Sequence, residues 1–210
     1  MISYRYLSQF VLEIRDESKN IDDWLVARKV FETQEECIQE AINTEDSVVL
    51  IIKKNTLISE KWLEQCIDNL ERNLIQAKSD RDTVIQIEVR YNESHPDFRH
   101  VCQFLGLSSS QLIELHTKST YTVAMFGFTP GFAYLIGLQP ELVIPRKETP
   151  NLKVSAGSLA IAGPYTGIYP FSSPGGWYVL GQSDFRFISN SATTLDILAQ
   201  PGDKVQFVAV

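Results

Sequence analysis

Glycine and proline are missing from a long part of the sequence. Residues 1–95 contain neither type, the first proline is Pro96, and the first glycine is Gly106. Residues 125–182, by contrast, hold 9 of the 11 glycines and 7 of the 9 prolines. Because these residues end regular elements and permit tight turns, the first part is predicted to form regular helices and strands. The later part is predicted to form short strands joined by elaborate loops.

Cysteine is scarce, and so are the signals of export. The three cysteines, Cys37, Cys66 and Cys102, lie far apart and form no C-x-x-C pair. This argues against a disulfide framework and against a cysteine-based zinc site. The N-terminal residues lack the basic-then-apolar pattern of a signal peptide, and no apolar run approaches the ~20 residues that span a bilayer. We therefore expect a reduced, cytoplasmic protein that has no membrane segment.

Basic charge is also in short supply. The 19 basic and 26 acidic side chains give a formal net charge of −7, which argues against non-specific binding to nucleic acid. Two helices predicted around Gly106 superficially suggest a helix-turn-helix. Residues 109–117, the candidate recognition helix, contain no Lys or Arg, so DNA binding is not expected.

Charge divides the chain at the same place as glycine and proline do. Residues 1–82 carry 11 basic and 17 acidic side chains, a net of −6, and residues 83–210 carry 8 and 9, a net of −1. A polar stretch, residues 78–82, stands at the change. These features predict one domain over residues 1–82 and a second over residues 83–210.

The patterns in the first domain indicate a small α+β sandwich. Alternation and β-branched runs predict strands over residues 10–14 and 47–52, and apolar spacing predicts a helix over residues 21–31. Thr33-x-x-Glu36 resembles a capping box that opens a helix through Ile42. Ser59 is predicted to cap another helix, whose apolar residues fall on or near one face.

The second domain is predicted to begin with a strand over residues 83–89. A helix follows from about Pro96 to Leu105, where Gly106 can end it, and Ser108-x-x-Gln111 opens another that runs to about Thr117. From residue 121 onward, short apolar runs separated by turns are typical of a β-barrel.

Two blocks of the second domain carry a dense motif. One is Phe126-Gly-Phe-Thr-Pro-Gly-Phe-Ala-Tyr-Leu135, followed by Gly137-Leu138. The other comprises residues 154–163, 166–170 and 173–177. With Leu115-His116, Pro145-Arg146 and Pro201-Gly-Asp203, they closely resemble the family of KipI and the 5-oxoprolinase B subunit, also called the allophanate hydrolase subunit 1 family. The chain departs from the family pattern at Asn151, Ser155 and Tyr165, where arginine, proline and glutamine are usual.

The resemblance implies a fold and a set of partners. The fold is a small N-terminal α+β domain followed by a cyclophilin-like β-barrel. The partners are a homologous barrel protein (the C subunit, or KipA) and a third subunit, which together form an ATP-dependent 5-oxoprolinase that opens pyroglutamate to glutamate. ATP with Mg²⁺ is then the expected cofactor, bound at a site that can be shared with the partner. Because one family member inhibits a sporulation histidine kinase, the alternative function is a non-catalytic kinase inhibitor.

Few groups in the motif segment can transfer protons. Residues 125–182 contain three basic residues, two acidic residues and no histidine, so the segment suits anion binding better than acid–base catalysis. No G-x-x-x-x-G-K-[ST] sequence is present, so ATP is not expected to bind through a Walker loop. The alternative to anion binding is a structural role, in which the glycines of this segment only turn the strands of a barrel.

Two residues are predicted to be catalytic, each with an alternative. Arg146 can hold an anion through its bidentate guanidinium, or form a surface ion pair with Glu141 or Glu148. His116 matches the Leu-His position of the family and can act as a base or hydrogen-bond donor. The alternative for His116 is a structural role near the end of its helix.

A second set of residues is predicted to bind substrate. Ser158 lacks the G-x-S-x-G frame of a nucleophile, so its predicted role is hydrogen bonding to a ligand. Aromatic residues of the motif, including Phe128 and Trp177, can line a pocket or a partner surface, or simply pack in a core. The predicted substrate-binding residues are Gly131, Phe132, Tyr134, Lys153, Ser158, Thr166 and Tyr169.

Overall fold

The computed structural model describes most of the chain. The described residues are 2–16, 18–19, 21–34, 36–44, 46–54, 56–76, 84–190 and 195–210. The chain divides into two compact units, Met1–Asp80 and Arg81–Val210. The predicted boundary between residues 82 and 83 lies outside the described residues, so the exact limits of the two domains stay a prediction.

The first unit is one antiparallel sheet with two helices. The four strands have the order β1-β2-β4-β3. Helix α1 buries Trp24, Ala27 and Phe31, which recur at the spacing of one helical face, and α1 contacts α2, β3 and β4. The elements are β1 (Ser3–Ser8), β2 (Val11–Arg15), α1 (Ile21–Glu32), β3 (Ile38–Asn43), β4 (Ser47–Ile52) and α2 (Glu60–Gln76).

One element of the first unit was predicted wrongly. The segment after Thr33 is the edge strand β3 and not a helix through Ile42. The Thr33 hydroxyl donates to the Val30 carbonyl, 2.7 Å away, and so belongs to the end of α1 instead of capping a new helix. Ile38 and Ala41 are buried while Gln39 and Glu40 are exposed, because pairing with β4 decides which side chains reach the core. Strand β1 was not predicted at all.

The second unit begins with a strand and two helices, as predicted. They are β5 (Val84–Tyr91), α3 (Pro96–Leu105) and α4 (Ser109–Lys118). Gly106 ends α3 in the left-handed conformation with φ 69°. Ser108 and Gln111 form both hydrogen bonds of the capping box at the start of α4.

The remaining strands, together with β5, build a closed barrel and two small two-stranded sheets. They are β6 (Thr120–Phe126), β7 (Ala133–Ile136), β8 (Asn151–Val154), β9 (Ser158–Ala162), β10 (Tyr165–Ile168), β11 (Ser173–Gly175), β12 (Tyr178–Gln182), β13 (Ile188–Asn190), β14 (Leu195–Ile197) and β15 (Lys204–Ala209). The barrel has the strand order β10-β7-β6-β15-β5-β12-β9, while β8 pairs with β11 and β13 pairs with β14. Within the barrel, β15 and β5 are parallel.

Separate apolar clusters fill the second unit. One cluster includes Tyr121, Leu159 and Phe207. Another joins residues of α3 and α4, such as Phe98 and Leu112, to the barrel strands. The predicted fold class, a small α+β domain followed by a β-barrel, is confirmed. None of the helices within the described ranges is long and apolar enough to cross a membrane.

Candidate functional site

Five aromatic rings of the motif blocks and the neighbouring Tyr165 form a continuous cluster. Phe132 lies at its centre and contacts Phe128, Tyr134, Tyr169 and Trp177, with ring centroids 5.0–5.5 Å apart. Tyr165 extends the cluster, 5.5 Å from Tyr134 and 6.4 Å from Trp177. Most of these pairs meet edge to face, the arrangement that aromatic quadrupoles favour. The two motif blocks therefore meet in one place.

Phe128 stands at the tip of a strained turn. Its φ is 68°, in the left-handed region that side chains other than glycine rarely adopt. The Thr129 N–H donates to the Gly127 carbonyl, 2.8 Å away, which closes a three-residue γ-turn about Phe128. The side chain is nevertheless 59% exposed. Such strain at an exposed aromatic residue is typical of a functional loop.

A cavity of about 450 Å³ lies beside this turn. Residues 126–131 and Ile188 line it. Gly131 has a φ of 78°, and a Cβ there would meet the Ile188 side chain at 2.6 Å. Glycine at this position therefore lets the loop backbone pack closely against Ile188, and the binding role of Gly131 stays a prediction.

Arg146 places a cation next to the aromatic cluster. Its guanidinium lies over Gly176, 3.4 Å from where a Cβ of that glycine would stand. Burial raises the pKa of Tyr134, and raises that of Tyr169 to about 12, while the Arg146 charge opposes both shifts. Arg146 is exposed. In the described part of the chain it has no carboxylate partner within 4 Å, so the alternative ion pair with Glu141 or Glu148 is not formed.

His116 lies inside the barrel unit, where its ring packs against Tyr91, Tyr121 and Phe207. Its side chain has no exposure. Burial lowers its pKa to about 3, which leaves the imidazole neutral. Tyr91 Oη is 2.7 Å from Nδ1, and Thr166 Oγ1 is 3.0 Å from Nε2.

The hydrogen bonds assign the tautomer of His116. The Thr166 hydroxyl donates to the Ala160 carbonyl, 3.1 Å away, so its oxygen accepts from Nε2–H. Nδ1 is then the acceptor for the Tyr91 hydroxyl. Because both ring nitrogens are occupied and water is excluded, this geometry favours the structural alternative for His116 over the catalytic one.

Thr166 and Ser158 are also turned away from the surface. Thr166 is fully buried beside His116. Ser158 is 4% exposed, and its hydroxyl donates to Gln182 Oε1 at 3.4 Å. Their side chains complete the barrel wall, so a direct contact with a ligand would require movement of that wall.

Tyr169 and Phe132 support the aromatic cluster from within. Both are almost fully buried. Gly175 packs directly against the Tyr169 ring, because a Cβ there would lie within 3 Å of three ring and hydroxyl atoms. Here the glycine is needed for packing, which is the alternative left open for the glycines of the motif.

Lys153 is exposed on β8, in the two-stranded sheet with β11. No polar contact joins it to Arg146 within the described ranges. The structure therefore brings together Arg146, Tyr134, Phe132, Tyr169 and the turn at Gly131, whereas the side chains of His116 and Thr166 are buried and hydrogen-bonded to each other. Tyr165 belongs to the cluster but was noted in the sequence only as a departure from the family pattern.

The residues of this site suit an anion better than a metal ion. Across the described residues, no group of three or more His, Cys, Asp or Glu side chains is placed to hold a metal. A guanidinium beside tyrosine hydroxyls can bind a carboxylate or the phosphates of a nucleotide.

Comparisons with known proteins match this chain to one family and to relatives that share a name. The family described as carboxyltransferase domain, subdomain C and D, matches residues 4–198. The chain is 35% identical to the 5-oxoprolinase B subunit of Escherichia coli O157:H7 over 188 residues, which cover 88% of this chain and 83% of that protein. It is 37% identical to the 5-oxoprolinase B subunit of Bacillus subtilis (strain 168) over 149 residues, which cover 68% of this chain and 60% of that protein.

A solved structure is also similar to this chain. The crystal structure of TTHA0988 matches with a TM-score of 0.78 at 30% identity. The match covers 100% of this chain and 41% of that one. The chain therefore spans less than half the length of this structural relative, and 60% of the Bacillus subtilis protein.

Proposed function

Because the chain belongs to the family of the 5-oxoprolinase B subunit, we propose that it is the substrate-holding subunit of an ATP-dependent 5-oxoprolinase. The complex opens 5-oxoproline (pyroglutamate) to glutamate. In it, this chain acts with a homologous barrel protein and a third subunit.

The observation that carries the proposal is the exposed Arg146 cation beside an aromatic cluster. 5-Oxoproline is a flat five-membered lactam that bears one carboxylate. The guanidinium can bind the carboxylate through two parallel hydrogen bonds, and the rings of Phe128 and Tyr134 offer an apolar surface for the lactam. The site therefore matches both halves of this substrate.

Tyr134 is suited to a donor role, because it is only partly buried in the aromatic cluster. Burial raises the pKa of its phenol, so the hydroxyl stays protonated at neutral pH. A protonated hydroxyl can donate a hydrogen bond to the lactam carbonyl and stabilise the charge that develops on its oxygen. His116 is buried and neutral, and both of its ring nitrogens are hydrogen-bonded inside the barrel unit, so we assign the catalytic base to a partner subunit.

ATP hydrolysis in the assembled complex supplies the free energy for opening an unstrained lactam. For this chain we assign binding and orientation of 5-oxoproline, and we place no nucleotide on its residues. The chain alone is then expected to show no 5-oxoproline-dependent ATP hydrolysis, and the mixture with its partner subunits is expected to show it.

Replacement of Arg146 tests the assignment in the reconstituted complex. Arg146→Ala removes a charge-assisted pair worth about 1.5–3 kcal/mol, so kcat/KM for 5-oxoproline is expected to fall roughly 10- to 100-fold. Arg146→Lys keeps the charge but loses the planar fork and is expected to restore only part of the activity. The parameters kcat and KM are measured from the rate of ATP hydrolysis against 5-oxoproline concentration.

Arg90→Ala is the matched control. Arg90 is another exposed arginine of the same unit, paired with Asp184 at 2.9 Å on the surface, and its loss is expected to leave kcat/KM unchanged. Equal activity of the Arg146 variants and the wild type would show that the substrate site is elsewhere. A complex that assembles on size-exclusion chromatography yet never turns over 5-oxoproline would contradict the proposed function, and autophosphorylation of a sensor kinase would then be measured with the chain present.

A further inference from the structure

A buried ion pair lies directly beside Arg146 in the chain. Lys147 Nζ is 2.6 Å from Asp97 Oδ1, and the two side chains are only 11% and 12% exposed. At least one partner of every other ion pair in the described residues is 43% or more exposed. Asp97 and Lys147 are 50 residues apart in the sequence, so the pair is purely a product of the fold.

Both oxygens of the Asp97 carboxylate are used. Oδ1 binds Lys147, and Oδ2 accepts the backbone N–H of Val179 at 3.0 Å. Asp97 stands in the first turn of α3 and Val179 lies on β12. One carboxylate thus links the start of a helix, a barrel strand and the loop that carries Arg146.

Lys147 fixes the loop in two further ways. Its backbone N–H donates to the Gly176 carbonyl at 2.8 Å. Its ammonium also lies 5.2 Å from the centroid of the Tyr178 ring, within the range of a cation–π contact. Gly176 is the residue over which the Arg146 guanidinium lies, and it precedes Trp177 of the aromatic cluster.

Stability alone does not account for a pair of this kind. Replacing a buried ion pair by apolar side chains of similar volume is often neutral or stabilising, because burial removes the hydration of both charges. What the pair adds is a link between distant segments of the chain, because each charge must keep its partner close. Here the linked segments are the start of α3, strand β12 and the loop that carries Arg146.

We propose that Asp97 and Lys147 are positioning residues, which hold the Arg146 guanidinium and the segment around Gly176 in the geometry that binds the anionic substrate. The proposal rests on the proposed function for its substrate, 5-oxoproline. The ion pair itself does not touch the ligand and acts through Arg146.

The test uses a double variant that removes both charges together. Asp97→Asn with Lys147→Met leaves no unpaired buried charge, and the asparagine oxygen can still accept the Val179 N–H. The thermal midpoint of the double variant is expected to stay close to that of the wild type, whereas Asp97→Asn alone is expected to lower it by leaving Lys147 uncompensated.

Two readouts separate positioning from a merely structural role. In the reconstituted complex, the double variant is expected to raise KM for 5-oxoproline roughly 10- to 100-fold with little change in kcat, as a misplaced binding group does. In the isolated chain, hydrogen exchange of peptides covering residues 145–148 and 175–178 is expected to become faster, with the rest of the barrel unchanged. Lys147→Arg, which can still pair with Asp97, is expected to have a KM close to that of the wild type.

The exposed pair Arg90–Asp184 supplies the matched control. The double variant Arg90→Gln with Asp184→Asn removes an ion pair of the same unit and is expected to change neither readout. Unchanged exchange at residues 145–148 in the Asp97/Lys147 variant would overturn the proposal, and so would faster exchange with a normal KM. If the wild-type complex proves inactive on 5-oxoproline, the proposed function fails, and the exchange measurement still shows whether the pair holds the segment that carries Arg146.

Discussion

At the residue scale, His116 shows how burial sets the chemistry of a side chain. A histidine in solution is half protonated near pH 6.5, but the interior of the barrel unit keeps this ring neutral to about pH 3. Its partners Tyr91 and Thr166 are matched to the neutral form, with one acceptor and one donor for the two ring nitrogens. The same residue type at an exposed position would be a plausible base, whereas here the ring connects α4 to β5 and β10.

This arrangement predicts a pH dependence of stability. Because the pKa of His116 is lower in the folded state than in the unfolded state, the unfolded chain takes up a proton between pH 6.5 and 3 that the folded chain does not. The stabilising contribution is complete above about pH 6.5 and is lost as the pH falls, at up to about 1.4 kcal/mol per pH unit. Urea unfolding at pH 7.5, 6.5 and 5.5 measures this slope.

His116→Gln replaces the imidazole by an amide, which offers a hydrogen-bond donor and an acceptor but does not titrate. It is expected to be less stable than the wild type at pH 7.5 and to show a shallower loss between pH 6.5 and 5.5. His100→Gln, which changes an exposed histidine of α3, is the control and is expected to keep the wild-type slope. Equal slopes for the wild type and His116→Gln would contradict the linkage to this residue.

At the element scale, helix boundaries in the second unit follow local hydrogen bonds. Ser108 Oγ accepts from the Gln111 N–H at 3.3 Å, and Gln111 Oε1 accepts from the Ser108 N–H at 2.9 Å. These contacts lie within one turn, so the sequence alone carries them. In the first unit, the S/T-x-x-E pattern at Thr33 was misleading, because the following segment gains more from pairing with β4 than from starting a helix.

Removal of the cap has a predictable cost. Ser108→Ala loses the side-chain acceptor of the capping box and is expected to lower the free energy of unfolding by about 1 kcal/mol. Denaturation in urea, followed by circular dichroism, measures the change. Glu114→Ala, at an exposed position in the middle of α4, is expected to change stability by less than about 0.5 kcal/mol, so an equal effect of both variants would show that the cap is not responsible.

At the scale of the whole molecule, each unit has apolar clusters of its own among the described residues. The cluster that contains Leu12, Trp24 and Leu50 is built only from residues of the first unit. The clusters around Leu159, Phe98 and Phe132 are built only from residues of the second. A defect in one core is therefore expected to remain local, since independent cores open as separate cooperative units.

Matched core substitutions test this separation. Leu50→Ala and Leu159→Ala each remove a fully buried side chain and are expected to destabilise their own unit by about 2–5 kcal/mol. Hydrogen exchange is expected to become faster within residues 2–76 for the first variant and within residues 84–210 for the second. Leu152→Ala, at a 93% exposed position, is the neutral control; faster exchange throughout the chain in either core variant would show that the two units unfold together.

Features that depend on neighbouring residues could be predicted from the sequence. The capping box at Ser108 and the left-handed end of α3 at Gly106 rest on contacts within a few positions of the chain, and a continuous β-branched run indicated the strand over residues 47–52. The family resemblance in the motif blocks supported the barrel that the short apolar runs had indicated, and it directed attention to Arg146. Each of these signals is local or is carried by a continuous stretch of residues.

Which side chains meet and which are buried follows from the tertiary structure. Closure of the barrel buries His116 beside Thr166, 50 residues away, and brings Asp97 to Lys147 across the same separation. It also leaves the predicted base buried while Arg146 is exposed. These contacts depend on the register and closure of strands that are distant in sequence, so no local pattern of residue types encodes them.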